Sequence, residues 1–271
     1  MPRGRTAKLL THRYDGISLR REPDQLIVEE PLEVHLDGVL VATTMRTPGH
    51  DFELAAGFCF TEGLLAGAPV RQCRYCGTGS AVDSDFNVVS VDTGGCAPVP
   101  SPRLSVTTSA CGMCGTTAVD ELRERLHALP PRPPFALDVL ASLAGTVAGG
   151  QHLFDLTGAV HAAVAFTRTG TPVVGREDIG RHNAVDKVVG HLLLEGALPA
   201  DDLGLWVSGR ASFEIVQKAW AAGFATVVAV SAPSSLAVSA ARLAGMTLCG
   251  FARDGRLNLY APLDGPAVAE G

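Results

Sequence analysis

LWVSGRASFEIVQKAWAAGFATVVAVSAPSSLAVSAARLAGMTLCGF, residues 205–251, is the stretch in which the fold is written. Leu205-Trp206-Val207, Thr226 to Val230 and Thr247 to Phe251 are short apolar runs bounded by Ser and Gly, the signature of buried strands. Between them, Ser212 to Ala222 and Leu236 to Leu243 carry apolar residues at helical spacing. The 23 residues between Lys218 and Arg242 are uncharged, long enough on paper to cross a bilayer. The turn cluster Ser231-Ala232-Pro233-Ser234-Ser235 divides that run into a strand and an Ala-rich helix, so no membrane helix and no membrane partner are expected.

The same alternation extends upstream. Val160 to Thr167 and Thr171 to Val174 flank a Gly turn, and Asn183 to Glu195 is helical with Val185, Val188, Val189, Leu192 and Leu193 on one face. Strands alternating with amphipathic helices place the chain in the α/β class, with a mostly parallel sheet covered by helices. In such sheets ligands sit beyond the carboxyl ends of the strands. That rule nominates Ser208-Gly209-Arg210, Ser231 to Ser235, and Ala252-Arg253-Asp254-Gly255-Arg256.

A further helix, about Ala136 to Ala148, ends at Gly149-Gly150, and Pro130-Pro131-Arg132-Pro133-Pro134 before it reads as a linker. The linker divides the chain into residues 1–134, a smaller β-rich region, and residues 135–271, the α/β domain. In the first part short β-rich runs extend from about Asp24 to Val91. Leu32 to Leu36 and Val39-Leu40-Val41 form a hairpin across Asp37-Gly38, and Asp51 to Leu65 has helical spacing through Leu54, Phe58 and Leu65 and should pack on the sheet. Val119 to Leu129 alternates charges and reads as a surface helix.

Composition narrows the function. With 46% hydrophobic and 18% charged residues in 271, the chain buries a core and is no unstructured scaffold. A net charge of -6 argues against a general nucleic-acid binder, so any anionic ligand must meet a local basic cluster. The basic start, MPRGRTAKLLTHRYDG, lacks the apolar run of a secretory signal, and a cytoplasmic protein is expected.

Seven cysteines in such a protein point to metal, catalysis or burial rather than disulfides. Cys59 in an apolar helix face and Cys249 in a core strand read as buried small hydrophobes. Ser109-Ala110-Cys111-Gly112-Met113-Cys114-Gly115 is a C-x-x-C whose glycines leave the sulfurs uncovered. It is open to three readings: half of a zinc site with Cys73-Arg74-Tyr75-Cys76, a thioredoxin-type disulfide, or an exposed thiol that carries sulfur as a persulfide. The 34 intervening residues exceed the usual zinc spacing, and the pair lies far from the βαβ region.

Two further segments are polar enough to bind. Gly175-Arg176-Glu177-Asp178-Ile179-Gly180-Arg181-His182-Asn183-Ala184-Val185-Asp186-Lys187 concentrates charge where a strand enters a helix, the place where backbone N–H groups meet anions; Asp186 and Lys187 could form a local ion pair. Phe251 to Arg256 turns through Asp-Gly toward Leu257 to Tyr260. It reads either as a plain hairpin or as two guanidiniums for phosphate with an aromatic and a carboxylate for a base.

Together Ala110 to Gly115, Gly175 to Lys187, Ser208-Gly209-Arg210-Ala211-Ser212 with Glu214 to Lys218, and Phe251 to Arg256, in this order across about Glu29 to Tyr260, resemble the formate dehydrogenase accessory sulfurtransferases, the FdhD/NarQ family. The resemblance implies a cytosolic, homodimeric sulfur carrier that works between a cysteine desulfurase and formate dehydrogenase. Its cargo would be the Mo-bis(molybdopterin guanine dinucleotide) cofactor, and its C-terminal domain would have a three-layer cytidine-deaminase-like fold. By position Cys111 matches the persulfide-bearing cysteine and Cys114 its partner. Phe251, Ala252, Arg253, Asp254, Gly255 and Arg256 match the cofactor-contacting segment, with Arg176, Arg181 and Arg210 expected to help hold phosphate. No metal ligand is assigned, although Cys73, Cys76 and Cys96 depart from the family core and leave an extra metal site open. The rival expectation is a non-catalytic cofactor-binding chaperone whose cysteines hold zinc. A deaminase signature, H-x-E with P-C-x-x-C, is absent, so a shared fold carries no hydrolytic deamination.

Overall fold

The computed structural model describes residues 4–76, 82, 85–99 and 126–262. Its elements fall into three sheets. β1 (Thr6–Tyr14) and β2 (Leu19–Ile27) form a two-stranded antiparallel hairpin that the sequence pattern, read as β-rich only from Asp24, did not foreshadow. At its tip Asp15 Oδ1 accepts from the backbone N–H groups of Ile17 and Ser18, a local turn that competes with no helix.

β3 (Glu30–Leu36), β4 (Val39–Arg46), β5 (Gln72–Tyr75) and β6 (Val88–Asp92) make a four-stranded sheet in the order β4-β3-β6-β5. The hairpin expected across Asp37-Gly38 is present, and both turn residues have positive φ, 46° and 86°, as a twist-matched two-residue turn requires. Helix α1 (Asp51–Thr61) covers this sheet, with Leu54, Ala55 and Cys59 packed on Leu32, Val34, Leu36, Val89 and Val91.

The second half begins with α2 (Leu137–Ala148) and α3 (His152–Thr157), followed by β7 (His161–Phe166), β8 (Pro172–Asp178), α4 (Arg181–Leu194) and β9 (Gly204–Val207). It ends with α5 (Phe213–Ala221), β10 (Thr226–Ala229), α6 (Ser235–Ala244), β11 (Thr247–Arg253) and β12 (Arg256–Ala261). These strands form one sheet in the order β12-β11-β10-β9-β7-β8. Alternation along each strand decides the layering. Ala163, Ala165, Leu205, Val207, Val227 and Ala229 face α4, α5 and α6, whereas Ala162, Val164, Phe166, Trp206, Val228 and Cys249 face α2.

The sheet is mixed, not mostly parallel. Only β9-β10 and β10-β11 are parallel, each joined by a helical crossover; β7-β8, β7-β9 and β11-β12 are antiparallel. The Gly170 turn after β7 and the Asp254-Gly255 turn after β11 are too short to carry a crossover and can only reverse the chain. Strands also run further than expected, β8 to Asp178 and β11 to Arg253, and α4 starts at Arg181 instead of Asn183.

The Pro130 to Pro134 stretch does not swing freely. Arg168 Nη2 donates to the carbonyls of Pro133 (2.6 Å) and Pro134 (2.8 Å), and Arg132 pairs with Asp201. Of the surface helix expected over Val119 to Leu129, residues 119–125 lie outside the described residues. The rest is irregular chain held by Trp220 Nε1 donating to His127 O (2.8 Å) and Leu129 N to Ala244 O (2.9 Å).

The two larger sheets are joined where α1 crosses α4 at Gly57 and Gly190. A Cβ on Gly57 would lie 1.9 Å from Asp186 O, and one on Gly190 would lie 1.8 Å from Glu53 O, so the backbones touch because neither residue has a side chain.

Candidate functional site

Parallel strands β9, β10 and β11 end on one edge of the sheet. β7, which runs the other way, begins there, and β8 ends there. Five chain segments therefore meet on that edge: His161, Asp178 to His182, Ser208 to Ser212, Ser231 to Ser234, and Phe251 onward. Backbone bonds lace them together. Ser208 exchanges bonds with Ala162, its N–H donating to Ala162 O (3.0 Å) and its Oγ accepting from Ala162 N (2.9 Å). Ser231 N donates to Gly209 O and Phe251 N to Ser231 O, both at 3.2 Å. Ser234 caps α6 by accepting from Ala237 N (3.1 Å), which is why that helix starts at the edge. All three nominated loops are thus brought together.

Phe251 to Arg256 takes a shape that a plain hairpin would not need. Gly250 lies so close to the β10–α6 loop that a Cβ would meet Pro233 Cδ at 2.9 Å. The next residue, Phe251, has φ 53° and is 39% exposed, while Ala252 is buried and the pairing register with β12 shifts between Gly250 and Arg253. An aromatic in the left-handed region costs about 1–2 kcal/mol and persists where the surroundings demand it, commonly at binding sites. Asp254 (φ 53°) and Gly255 (φ 71°) then turn the chain, presenting Arg253 and Arg256 side by side as a cross-strand pair. Arg181, Arg210, Arg253 and Arg256 form no ion pair with a described residue, so one edge carries four guanidiniums free to meet an anion.

Most of the Gly175 to Lys187 block serves another purpose. Arg176 is bound to Glu53 (2.5 and 2.7 Å), and this removes it from the phosphate contacts expected of it. Burial pushes the Glu53 carboxyl up, but hydrogen bonds from Arg176 and His50 more than reverse that and hold it at about 2. Glu177 caps α3 by accepting from Leu153 N and Phe154 N. Asp178 accepts from Thr47 N, Gly180 N, Asn183 Nδ2 and Lys187 Nζ, the last at 2.6 Å. Asp186 and Lys187 are not a pair with each other: Lys187 goes to Asp178, and Asp186 to Lys218 (3.0 Å) and Thr61 (2.8 Å). The bonds of Asp178 and Lys187 to Thr47, and of Asp186 and Lys218 to Thr61, fasten the two sheets together near the α1–α4 crossing. Only Arg181 and His182 of the block turn to the edge, His182 Nε2 meeting Glu214 at 2.7 Å and Ser212 Oγ at 3.4 Å.

His161, which no motif marked, completes the edge. It is the first residue of β7, opposite Asp178 in register, and its pKa is lowered by burial and by the charges of Arg181, His182 and Arg210. Its place depends on β7 inserting antiparallel between β8 and β9, a pairing that local sequence does not signal.

Cys111 and Cys114 lie outside the described residues. The other cysteines behave as their burial dictates: Cys59 is pushed well above the ordinary thiol value, Cys249 up to about 12 and Cys73 up to about 11, each mainly by desolvation. Among the described residues no group of three or more His, Cys, Asp or Glu is placed to hold a metal, and so Cys73, Cys76 and Cys96 build no such site with them. No helix among the described residues is long and apolar enough to cross a membrane.

Comparison with known proteins adds the following. A sequence model of the FdhD/NarQ family matches residues 27–264. The chain is 50% identical over 245 residues to a sulfur carrier protein FdhD of Nocardia farcinica, covering 89% of this chain and 88% of the relative. It is 47% identical over 263 residues to one of Streptomyces avermitilis, covering 94% and 92%. A crystal structure from Desulfotalea psychrophila, described as a formate dehydrogenase accessory protein, matches with a TM-score of 0.75 over 96% of this chain and 99% of that one; at 22% identity the likeness is one of fold.

Proposed function

Because the chain belongs to the FdhD/NarQ family, we propose that it is a cytoplasmic sulfur carrier that receives sulfur from a cysteine desulfurase as a Cys111 persulfide and delivers it to the Mo-bis(molybdopterin guanine dinucleotide) cofactor destined for formate dehydrogenase. The observation that carries the reading is the edge itself: an exposed aromatic on strained backbone beside an Asp, with Arg181, Arg210, Arg253 and Arg256 unpaired among the described residues. A diphosphate needs guanidiniums in a fixed fork, and a guanine offers an N–H edge to a carboxylate and a face to a ring. Homodimer formation and a cytidine-deaminase-like arrangement of the second half belong to the same reading.

The chemistry balances with the chain's own thiols. Cys111 thiolate attacks the outer sulfur of the desulfurase persulfide; the desulfurase leaves as a thiolate and Cys111–S–SH is formed. Cys114 thiolate then attacks the inner sulfur, closing a Cys111–Cys114 disulfide and releasing the outer sulfur as hydrosulfide, reduced by two electrons, to the molybdenum of the cargo. Downstream of the cysteine pair, His127 and Leu129 are fixed at Trp220 and Ala244, the end of the sheet away from Phe251. Eleven residues separate Cys114 from Leu126. At about 3.3–3.6 Å each they reach further than the roughly 23 Å length of a seven-residue strand such as β11.

The test is mass spectrometry after incubation with a cysteine desulfurase and cysteine. One added sulfur on the Cys111 peptide is expected, removed by dithiothreitol and missing from Cys111→Ala. No adduct, or full activation of formate dehydrogenase by Cys111→Ala, contradicts the reading.

A further inference from the structure

We propose that His161 couples cofactor binding to proton uptake: its imidazole takes up a proton when a diphosphate settles among Arg181, His182 and Arg210. The inference rests on the proposed function and extends it by naming a residue that regulates affinity at that edge. Geometry is its basis. His161 opens β7, next to Ala162, whose N–H is held by Ser208 Oγ, and its ring packs over Gly209, where an added Cβ would stand 3.4 Å from Nδ1.

The charges that act on His161 most strongly come from three elements around it. Arg181 and His182 come from the start of α4, Arg210 from the loop before α5, and Asp178 from the end of β8. Asp178 is already engaged by Lys187, Thr47, Gly180 and Asn183, and His182 is held by Glu214. The local balance is therefore cationic, and the Nε of Arg181 is buried with no hydrogen-bond partner among the described residues. Burial and this surplus hold His161 below the ordinary imidazole value. A bound diphosphate brings negative charge into the cluster, reverses the Coulombic balance on the ring and raises its pKa.

The sign follows from linkage. A group whose pKa is raised by binding makes binding stronger as pH falls from the bound value to the free value, by up to tenfold per pH unit, and flat below the free value. The probe is P1,P2-di(guanosine-5′) diphosphate, because both of its phosphates are diesters that do not titrate near neutrality and all proton uptake must come from the protein. Calorimetry over about pH 6 to 8, repeated in buffers of different ionisation enthalpy, reads affinity and proton uptake together.

Wild-type protein should bind more tightly at lower pH and take up a fraction of one proton per site, and His161→Gln should bind with neither the uptake nor the pH slope. As a readout that does not depend on the variant folding, one imidazole carbon signal of the wild type should move its titration midpoint upward when the dinucleotide is present. Binding without proton uptake, uptake retained in His161→Gln, or imidazole midpoints unmoved by the ligand would overturn the inference while leaving the proposed function standing. Absence of binding at every pH would overturn both.

Discussion

At Phe251 a side chain has been placed where the backbone resists it, and the residue scale is where that choice is tested. A left-handed φ of 53° is unfavourable for any residue with a Cβ and costless for glycine. Phe251→Gly should therefore be more stable than Phe251→Ala by about 1 kcal/mol in urea unfolding, although both lose the exposed ring and both should bind guanine nucleotide less well. Equal stability of the two variants would show that the backbone relaxes once the ring is removed. Glu53 supplies a second test. Its carboxyl lies near 2 in the folded protein against an ordinary 4.5, so the stability it contributes is complete above the ordinary value and is lost as pH falls through the folded one. Glu53→Gln should be destabilised at pH 6, and the gap to wild type should close as pH falls from about 4.5 toward 2. A gap independent of pH would mean that packing, not charge, makes the contribution.

At the scale of elements, the α1–α4 crossing makes the sharpest demand. Gly190→Ala would drive a methyl group to within 1.8 Å of Glu53 O and should cost about 3 kcal/mol or more. Gly145→Ala on α2, where nothing lies within 4 Å, should instead gain about 0.5–1 kcal/mol of helix stability. If thermal unfolding shows the two substitutions equivalent, the helices do not cross as described. The same contrast shows what sequence conveys. Leu205 to Phe251 gave its strands and helices within a residue or two, since periodicity and caps are local, and Asp37-Gly38 gave its hairpin for the same reason. Long-range pairing left no such trace. Nothing near Gly57 or Gly190 announces that they touch, and nothing near Val160 announces that β7 runs antiparallel between β8 and β9. The polar block looked like one binding motif because charge density does not reveal the partner: Arg176, Glu177, Asp178, Asp186 and Lys187 are bound inside the protein, and only Arg181 and His182 reach the edge.

The whole molecule divides its tasks between its two larger sheets. The four-stranded sheet and α1 precede the cysteine segment in the chain, and the six-stranded sheet follows it, holding His127 at one end and carrying the guanidinium edge at the other. Buried bonds that cross between the halves, Asp178 accepting from Thr47 N, Lys187 donating to Thr47 O and Asp186 accepting from Thr61, hold the two sheets in one relation. An acidic protein holds a phosphate-rich ligand in this account because unpaired arginines lie along one edge of the sheet, not because its net charge invites one. Titrating GDP, a stand-in for the guanine end of the cargo, into wild type, Arg253→Ala and Arg256→Ala tests that most directly. Saturable binding by wild type, weakened roughly ten- to a hundredfold in each variant as loss of a charge-assisted contact of about 1.5–3 kcal/mol implies, is the predicted result; no binding by wild type, or the same affinity in all three proteins, would contradict it.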